Sequence, residues 1–98
     1  MYNLRHTEFS ENELDDAFHW YDSQGDGLGY RFLEEINSTL SRVIMNPEIY
    51  VEIKPGIRRA LVKFFPYGII FAVDKDDIMI LSVAHLHRRP FSWIDRIG

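Results

Sequence analysis

The fold turns on residues 57–87, IRRALVKFFPYGIIFAVDKDDIMILSVAHLH. Ile57 to Phe64 reads as a strand, and Pro66 interrupts it because proline has no amide to give a ladder. Tyr67 to Val73 is a continuous apolar run rich in Ile, Val and Phe, the composition of a buried strand. Asp74-Lys75-Asp76-Asp77 is a polar turn, and Ile78 to His87 supplies the next strand of a hairpin. Alternate residues of a strand share a face. Arg59 and Lys63 are therefore expected on one side with Arg58 on the other, and Met79, Leu81, Val83, His85 and His87 in one row. Such a row ends in two histidines beside arginines, a polar rim on the sheet. Arg89-Pro90 closes this stretch, and Phe91 to Ile97 is expected to form a final helical turn.

Upstream, the period changes from 2 to 3.6. Ser10 and Glu13 have the spacing of a capping box, and Phe9 and Leu14 that of a hydrophobic staple. Leu14, Ala17, Phe18 and Tyr21 form one stripe of an amphipathic helix. Asp15 and Asp16 sit near its positive end. Ser23 to Gly27 breaks the pattern with two glycines. A second helix is expected from Leu28 to Met45, with Phe32, Ile36, Leu40, Val43 and Ile44 on one side. Asn46-Pro47 ends it, since proline neither continues a helix nor tolerates one just before it. Residues 2–7 read as an edge strand and Pro55-Gly56 as a turn. The fold class that follows is α+β, a helical hairpin packed on a small antiparallel β-sheet.

The chain of 98 residues is expected to be one domain, 1–98, with enough core to stand without staples. It has no cysteine, which excludes disulfides and thiol catalysis and fits a reducing compartment. The first residues lack the apolar run of a signal peptide, and the apolar stretch Ile69 to Val73 is far too short for a bilayer, so a soluble cytoplasmic protein without membrane contact is expected. The net charge of −4 hides an asymmetry. Residues 1–50 hold 10 acidic and 3 basic side chains, a balance of −7, and residues 51–98 hold 5 and 8, a balance of +3. The helical layer is acidic and the remainder mildly basic, so the two offer partners different fields.

Several stretches together resemble the RelE/ParE toxins of type II toxin–antitoxin systems. Ala17-Phe18-His19-Trp20-Tyr21 followed by Gly27-Leu28-Gly29-Tyr30-Arg31-Phe32 is similar to the family's first helix and loop, and Ile44-Met45-Asn46-Pro47-Glu48 to the end of its second helix. Ile57 to Val62 and Phe64-Phe65-Pro66-Tyr67 resemble its central strand and the start of the next one. His85-Leu86-His87-Arg88-Arg89-Pro90 and Trp93 resemble its C-terminal region. The resemblance covers nearly the whole chain in order. It implies a small growth-inhibiting toxin, bound and neutralised in a hetero-oligomer by a cognate antitoxin. The antitoxin would lay an amphipathic segment in a groove near Trp20, Tyr21 and Phe32, or along an open sheet edge. The same three aromatics also have a plain use as core.

Within the family two activities are open. The ParE-like one is non-enzymatic: the toxin poisons DNA gyrase and blocks replication, with Arg58, Arg59, Lys63, Arg88, Arg89 and Trp93 as the target-binding set. The RelE-like alternative is ribosome-dependent cleavage of mRNA, drawing on Arg58, Arg59, His85, His87 and Arg88. Cutting RNA through the 2′-hydroxyl needs a base, an acid and cations for the phosphorane charge, roles suited to histidine and arginine. Ribonuclease members are richly basic, and this chain has only three lysines, which favours the first activity. A third reading is a toxin fold that has lost toxicity. His85 and His87 also suit plain solvated positions at a strand end. No cofactor or metal is expected: Gly25, Gly27 and Gly29 lack the spacing of a phosphate-cradling loop, and the two histidines lack an evident third ligand.

Overall fold

The computed structural model describes residues 2–87. Arg88, Arg89, Trp93 and the helical turn expected at Phe91 to Ile97 lie outside the described residues. In chain order the elements are β1 (Asn3–His6), α1 (Glu8–Gln24), α2 (Leu28–Met45), a 3-10 turn (Pro47–Ile49), β2 (Val51–Lys54), β3 (Ile57–Leu61), β4 (Tyr67–Asp74) and β5 (Asp77–His85). The strands form one sheet in the order β1-β5-β4-β3-β2. Strands β2 to β5 are an antiparallel meander, as the alternation and turns implied. The sheet as a whole is mixed, because β1 runs parallel to β5. Reaching β5 from β1 through both helices leaves the first strand at an outer edge, and a crossover of this length permits parallel pairing.

The helical hairpin packs on one face of the sheet. Phe32, Ile36 and Val43 of α2 and Ala17 and Tyr21 of α1 meet Ala60, Ile69, Phe71, Ile78, Ile80 and Val83 in the main core. Its densest part is aromatic. The Phe32 ring centroid lies 5.0 Å from Tyr21, 5.2 Å from Phe65 and 5.0 Å from Tyr67. Tilted and edge-on contacts at these separations set each ring's positive rim against a neighbour's negative face. On the opposite face Ile70 and Leu81 form a second, smaller cluster with Phe9, Ile53, Ile57 and Met79.

Two glycines explain the hairpin turn. Gly27 adopts a left-handed φ of 76°, which costs a side-chain-bearing residue steric energy. Gly29 marks the close approach of the two helices: a Cβ there would fall 2.9 Å from both the Phe18 ring and the Phe18 carbonyl oxygen.

The start of α1 departs from the capping box read in the sequence. Thr7 is the cap, and its side chain accepts a hydrogen bond from the Ser10 amide at 3.1 Å. Ser10 lies inside the helix, buried, donating its hydroxyl to the Thr7 carbonyl. Glu13 does not reach back to the helix start. It accepts from Ser82 Oγ at 2.7 Å and from the Val83 amide at 2.8 Å. The reason is the length of β1. Pairing with β5 runs only from Asn3–Asp77 to His6–Ile80, so the outer edge of β5 beyond Ile80 loses its strand neighbour. Glu13 supplies the acceptor that the missing strand would have given.

The single row of five expected along the last strand is broken at the same place. Ile70 pairs with Ser82 while Phe71 pairs with Ile80, leaving Leu81 as an extra residue in a β-bulge. Ile78 and Ile80 face the helices, and after the bulge so does Val83. Met79 and Leu81 face the other way. The inserted residue inverts the alternation.

Gly29→Ala is expected to cost about 1–3 kcal/mol in urea unfolding by forcing the helices apart, with Gly25→Ala close to neutral because its Cβ would meet nothing nearer than 4.0 Å. Partial burial raises the Glu13 carboxyl above its ordinary value, while the bonds from Ser82 and Val83 pull it down. With the folded value above the unfolded one, the Glu13 contribution is fully present below the ordinary 4.5 and is lost as pH rises through the raised folded value. Glu13→Gln keeps an acceptor oxygen without a titrating charge. The stability of the wild-type chain relative to this variant should therefore fall as pH rises above the ordinary 4.5 and through the raised folded value. Glu13→Ala, which strands two donors, should cost about 1–3 kcal/mol.

Candidate functional site

The two arginines of β3 occupy opposite faces, as the alternation implied, and their surroundings differ. Arg58 faces the helical layer opposite Phe71. Its guanidinium donates to the Tyr50 carbonyl at 2.7 Å and to the Glu48 carbonyl at 3.2 Å, and it pairs with Glu52 at 3.4 Å. These bonds tie the stretch after α2 to the sheet. Arg59 pairs with Ile70 on the other face. Its stem lies over Gly68, where an added Cβ would come within 3.2 Å of the Arg59 Cγ and Cδ and of Leu86. Its Nε is buried without a hydrogen-bond partner. Lys63 is exposed but does not extend the Arg59 row, because β3 ends at Leu61.

The histidines close the far end of β5. His85 sits opposite Tyr67, with ring centroids 5.1 Å apart in an edge contact. His87 lies in the turn beyond, its ring 5.7 Å from His85, and its amide donates to His85 Nδ1 at 3.1 Å. His85 and Arg58 share the helical side but not a location. Their partners on β4, Tyr67 and Phe71, are four residues apart, and β4 lies between β3 and β5. At about 3.4 Å per residue and about 4.8 Å between strands, the two backbones are separated by roughly 16 Å. Arg59 is on the other face. The described members of the ribonuclease set are thus brought to one sheet but not to one point. No group of three or more His, Cys, Asp or Glu among the described residues is arranged to hold a metal ion.

Of the three aromatics expected at an antitoxin groove, Tyr21 and Phe32 are inside the core, Phe32 with no exposed surface. Trp20 is 52% exposed and rests edge-on against Tyr21. An open groove lies one turn toward the start of α1. It measures about 440 Å³ and is lined by His6, Glu11, Leu14, Asp15, Phe18 and Leu33. The sequence stripe contained Leu14 and Phe18 but gave no sign that Ala17 and Tyr21 take the core while these two stay half-buried. A surplus of apolar positions for one helix face was the available signal. The groove runs beside β1, and β1 and β2 are the outer strands of the sheet.

A further feature had no sequence signal. Phe64, in the connection between β3 and β4, has a left-handed φ of 68° and is 79% exposed. The connection is held by the Val62 amide donating to the Tyr67 carbonyl and the Tyr67 amide to the Phe65 carbonyl. Such a conformation is uncommon for a bulky residue, and strain of about 1–3 kcal/mol persists only where surrounding bonds impose it.

No curated protein sequence matches the chain. In shape, the chain is similar to a solved structure described as the chromosomal ParDE TA system from P. aeruginosa. The TM-score is 0.77 at 19% sequence identity, covering 89% of this chain and 98% of that one. Likeness at that identity speaks for the fold. The family follows from the sequence: the model of the ParE toxin of type II toxin-antitoxin system, parDE, matches residues 4–90. A helical hairpin on a five-stranded mixed sheet, with that match over almost its whole length, places the chain in the ParE toxin family.

Proposed function

We propose that this ParE-family toxin inhibits growth as a non-enzymatic binder that poisons DNA gyrase in the cytoplasm and blocks replication, and that a cognate antitoxin neutralises it. The separation of Arg58 from His85 carries this reading over ribonucleolytic cleavage. A base and a phosphorane-stabilising cation must converge on one phosphate; with roughly 16 Å between the two backbones, the Arg58 side chain would have to leave its carbonyl partners to approach one held at His85. Arg58 is also engaged with two backbone carbonyls and Glu52, an arrangement that serves the fold. The cations left to meet a target on the described surface include Arg59 and Lys63.

Neutralisation is supported by the groove at Leu14, Phe18 and Leu33 and by the outer strand β1 beside it. An amphipathic helix fits the first and an added strand the second, the two usual ways a partly disordered partner docks. Among the described residues no helix is long and apolar enough to cross a membrane.

Purified protein added to a gyrase supercoiling reaction should inhibit it. Unaffected supercoiling at excess toxin would reject the proposed target, and translation-dependent mRNA cuts on induction would return the ribonuclease. Arg58→Ala should lower stability by about 1.5–3 kcal/mol through loss of charged hydrogen bonds. Arg58→Lys should restore only part of that, because one ammonium lacks the planar fork that serves three acceptors. An Arg58→Ala chain of unchanged stability that no longer inhibits gyrase would instead make Arg58 a target contact.

A further inference from the structure

One end of the sheet sets two exposed apolar side chains beside an unpaired cation, with a third exposed in the adjoining connection. Leu61 follows Arg59 by two positions and shares its face, and it is 56% exposed. Leu86 closes on Gly68 from the same side, against the Arg59 stem. Its amide donates to the Pro66 carbonyl, which fixes it beside the β3–β4 connection. Phe64 and Lys63 are exposed in that connection. Isolated surface apolar residues are ordinary, but Leu61 and Leu86 on one face with Arg59, next to an exposed Phe64 in the adjoining connection, mark an interaction surface.

Charge narrows the partner. The chain carries 15 acidic side chains, yet none lies between Glu52 and Asp74. Among the described residues, neither Arg59 nor Lys63 is paired with a carboxylate. A carboxylate matches the guanidinium fork in a bidentate way, and desolvation among leucines strengthens the pair. Nucleic acid fits less well: two cations flanked by aliphatic side chains neutralise few phosphates, and the chain as a whole is negative.

We infer that the Arg59 face, with Leu61, Phe64 and Leu86, is a docking surface for an acidic protein segment. In it, a carboxylate flanked by apolar side chains pairs with the Arg59 guanidinium. This surface is separate from the groove between α1 and α2. The inference rests on the proposed function only in that the chain acts by binding, whichever enzyme is its target.

The Arg59 side-chain Nε–H resonance of the full, isotopically labelled chain reports on the contact. The probes are a short capped peptide alternating leucine and glutamate, its counterpart with glutamine, and a single-stranded oligothymidine. The glutamate peptide should move the Arg59 Nε–H downfield in a saturable titration, and the glutamine peptide should bind at least about tenfold more weakly. Arg59→Lys should lose the tighter binding with an otherwise unchanged amide spectrum, since lysine keeps the charge and lacks the fork. Phe64→Gly, which accepts the left-handed backbone and removes an exposed ring, should also weaken binding with the fold intact. An undisturbed Arg59 resonance with the glutamate peptide, equal binding of the glutamine peptide, full affinity in Arg59→Lys, or saturation by the oligonucleotide alone would overturn the inference. Gyrase inhibition is measured separately. Binding through Arg59 by a chain that leaves gyrase untouched upholds the docking surface and rejects the proposed target.

Discussion

Where β1 ends at His6, the outer edge of β5 continues with no strand beside it, and Glu13 of α1 takes the strand's place. Its carboxylate accepts from the Val83 amide and the Ser82 hydroxyl. A buried edge amide without an acceptor would weaken the sheet where the helices must rest on it. The bond also sets the position of α1: with Glu13 held at the edge, Ala17 and Tyr21, one and two turns on, fall over the main core. Leu81 is the second half of this junction. As the bulged residue it turns Met79 and Leu81 to one face and lets Val83 join Ile80 on the other. The partition of the last strand between core and open face depends on these two residues.

The hairpin and meander were legible because they rest on local signals. Pro47 stops α2, Pro55-Gly56 and the run Asp74 to Asp77 make turns, and Leu28 to Met45 carries a helical stripe that matches the helix residue for residue. What could not be read is long-range. Ser10 and Glu13 have capping-box spacing, but Thr7, just before the helix, takes the cap, and the donor that claims Glu13, Val83, arrives with the chain's return 70 positions later. A bulge at Leu81 has no composition of its own, so a strict period of two was the natural expectation. The parallel pairing of β1 depends on where both helices deliver the chain, which no single stretch encodes.

The candidate site divides the same way. Opposite facing of Arg58 and Arg59 follows from strand alternation and was readable. The acceptors around Arg58 are backbone carbonyls of Glu48 and Tyr50, and carbonyls have no sequence signature. Tyr21 and Phe32 were candidates both for core and for a partner's groove, and burial among Phe65 and Tyr67 makes them core. The open groove lies instead at Leu14 and Phe18, half-buried residues of the same stripe.

The contrast between adjacent arginines bears on how one fold serves different activities. A strand of this sheet presents successive side chains to a packed face and an open one. On the packed face a cation must be satisfied internally, and Arg58 is, by two carbonyls and a carboxylate. On the open face Arg59 keeps its stem on Gly68 and Leu86 and leaves Nε without an acceptor, and the nearest acidic positions in sequence are Glu52 and Asp74. Internal satisfaction fixes the fold and consumes the charge, whereas incomplete satisfaction preserves it for another molecule. Moving a catalytic histidine to Arg59 would require carrying His85 through the sheet, away from Tyr67. Arg59, half-buried on the open face, meets a partner from that side without any strand crossing the sheet.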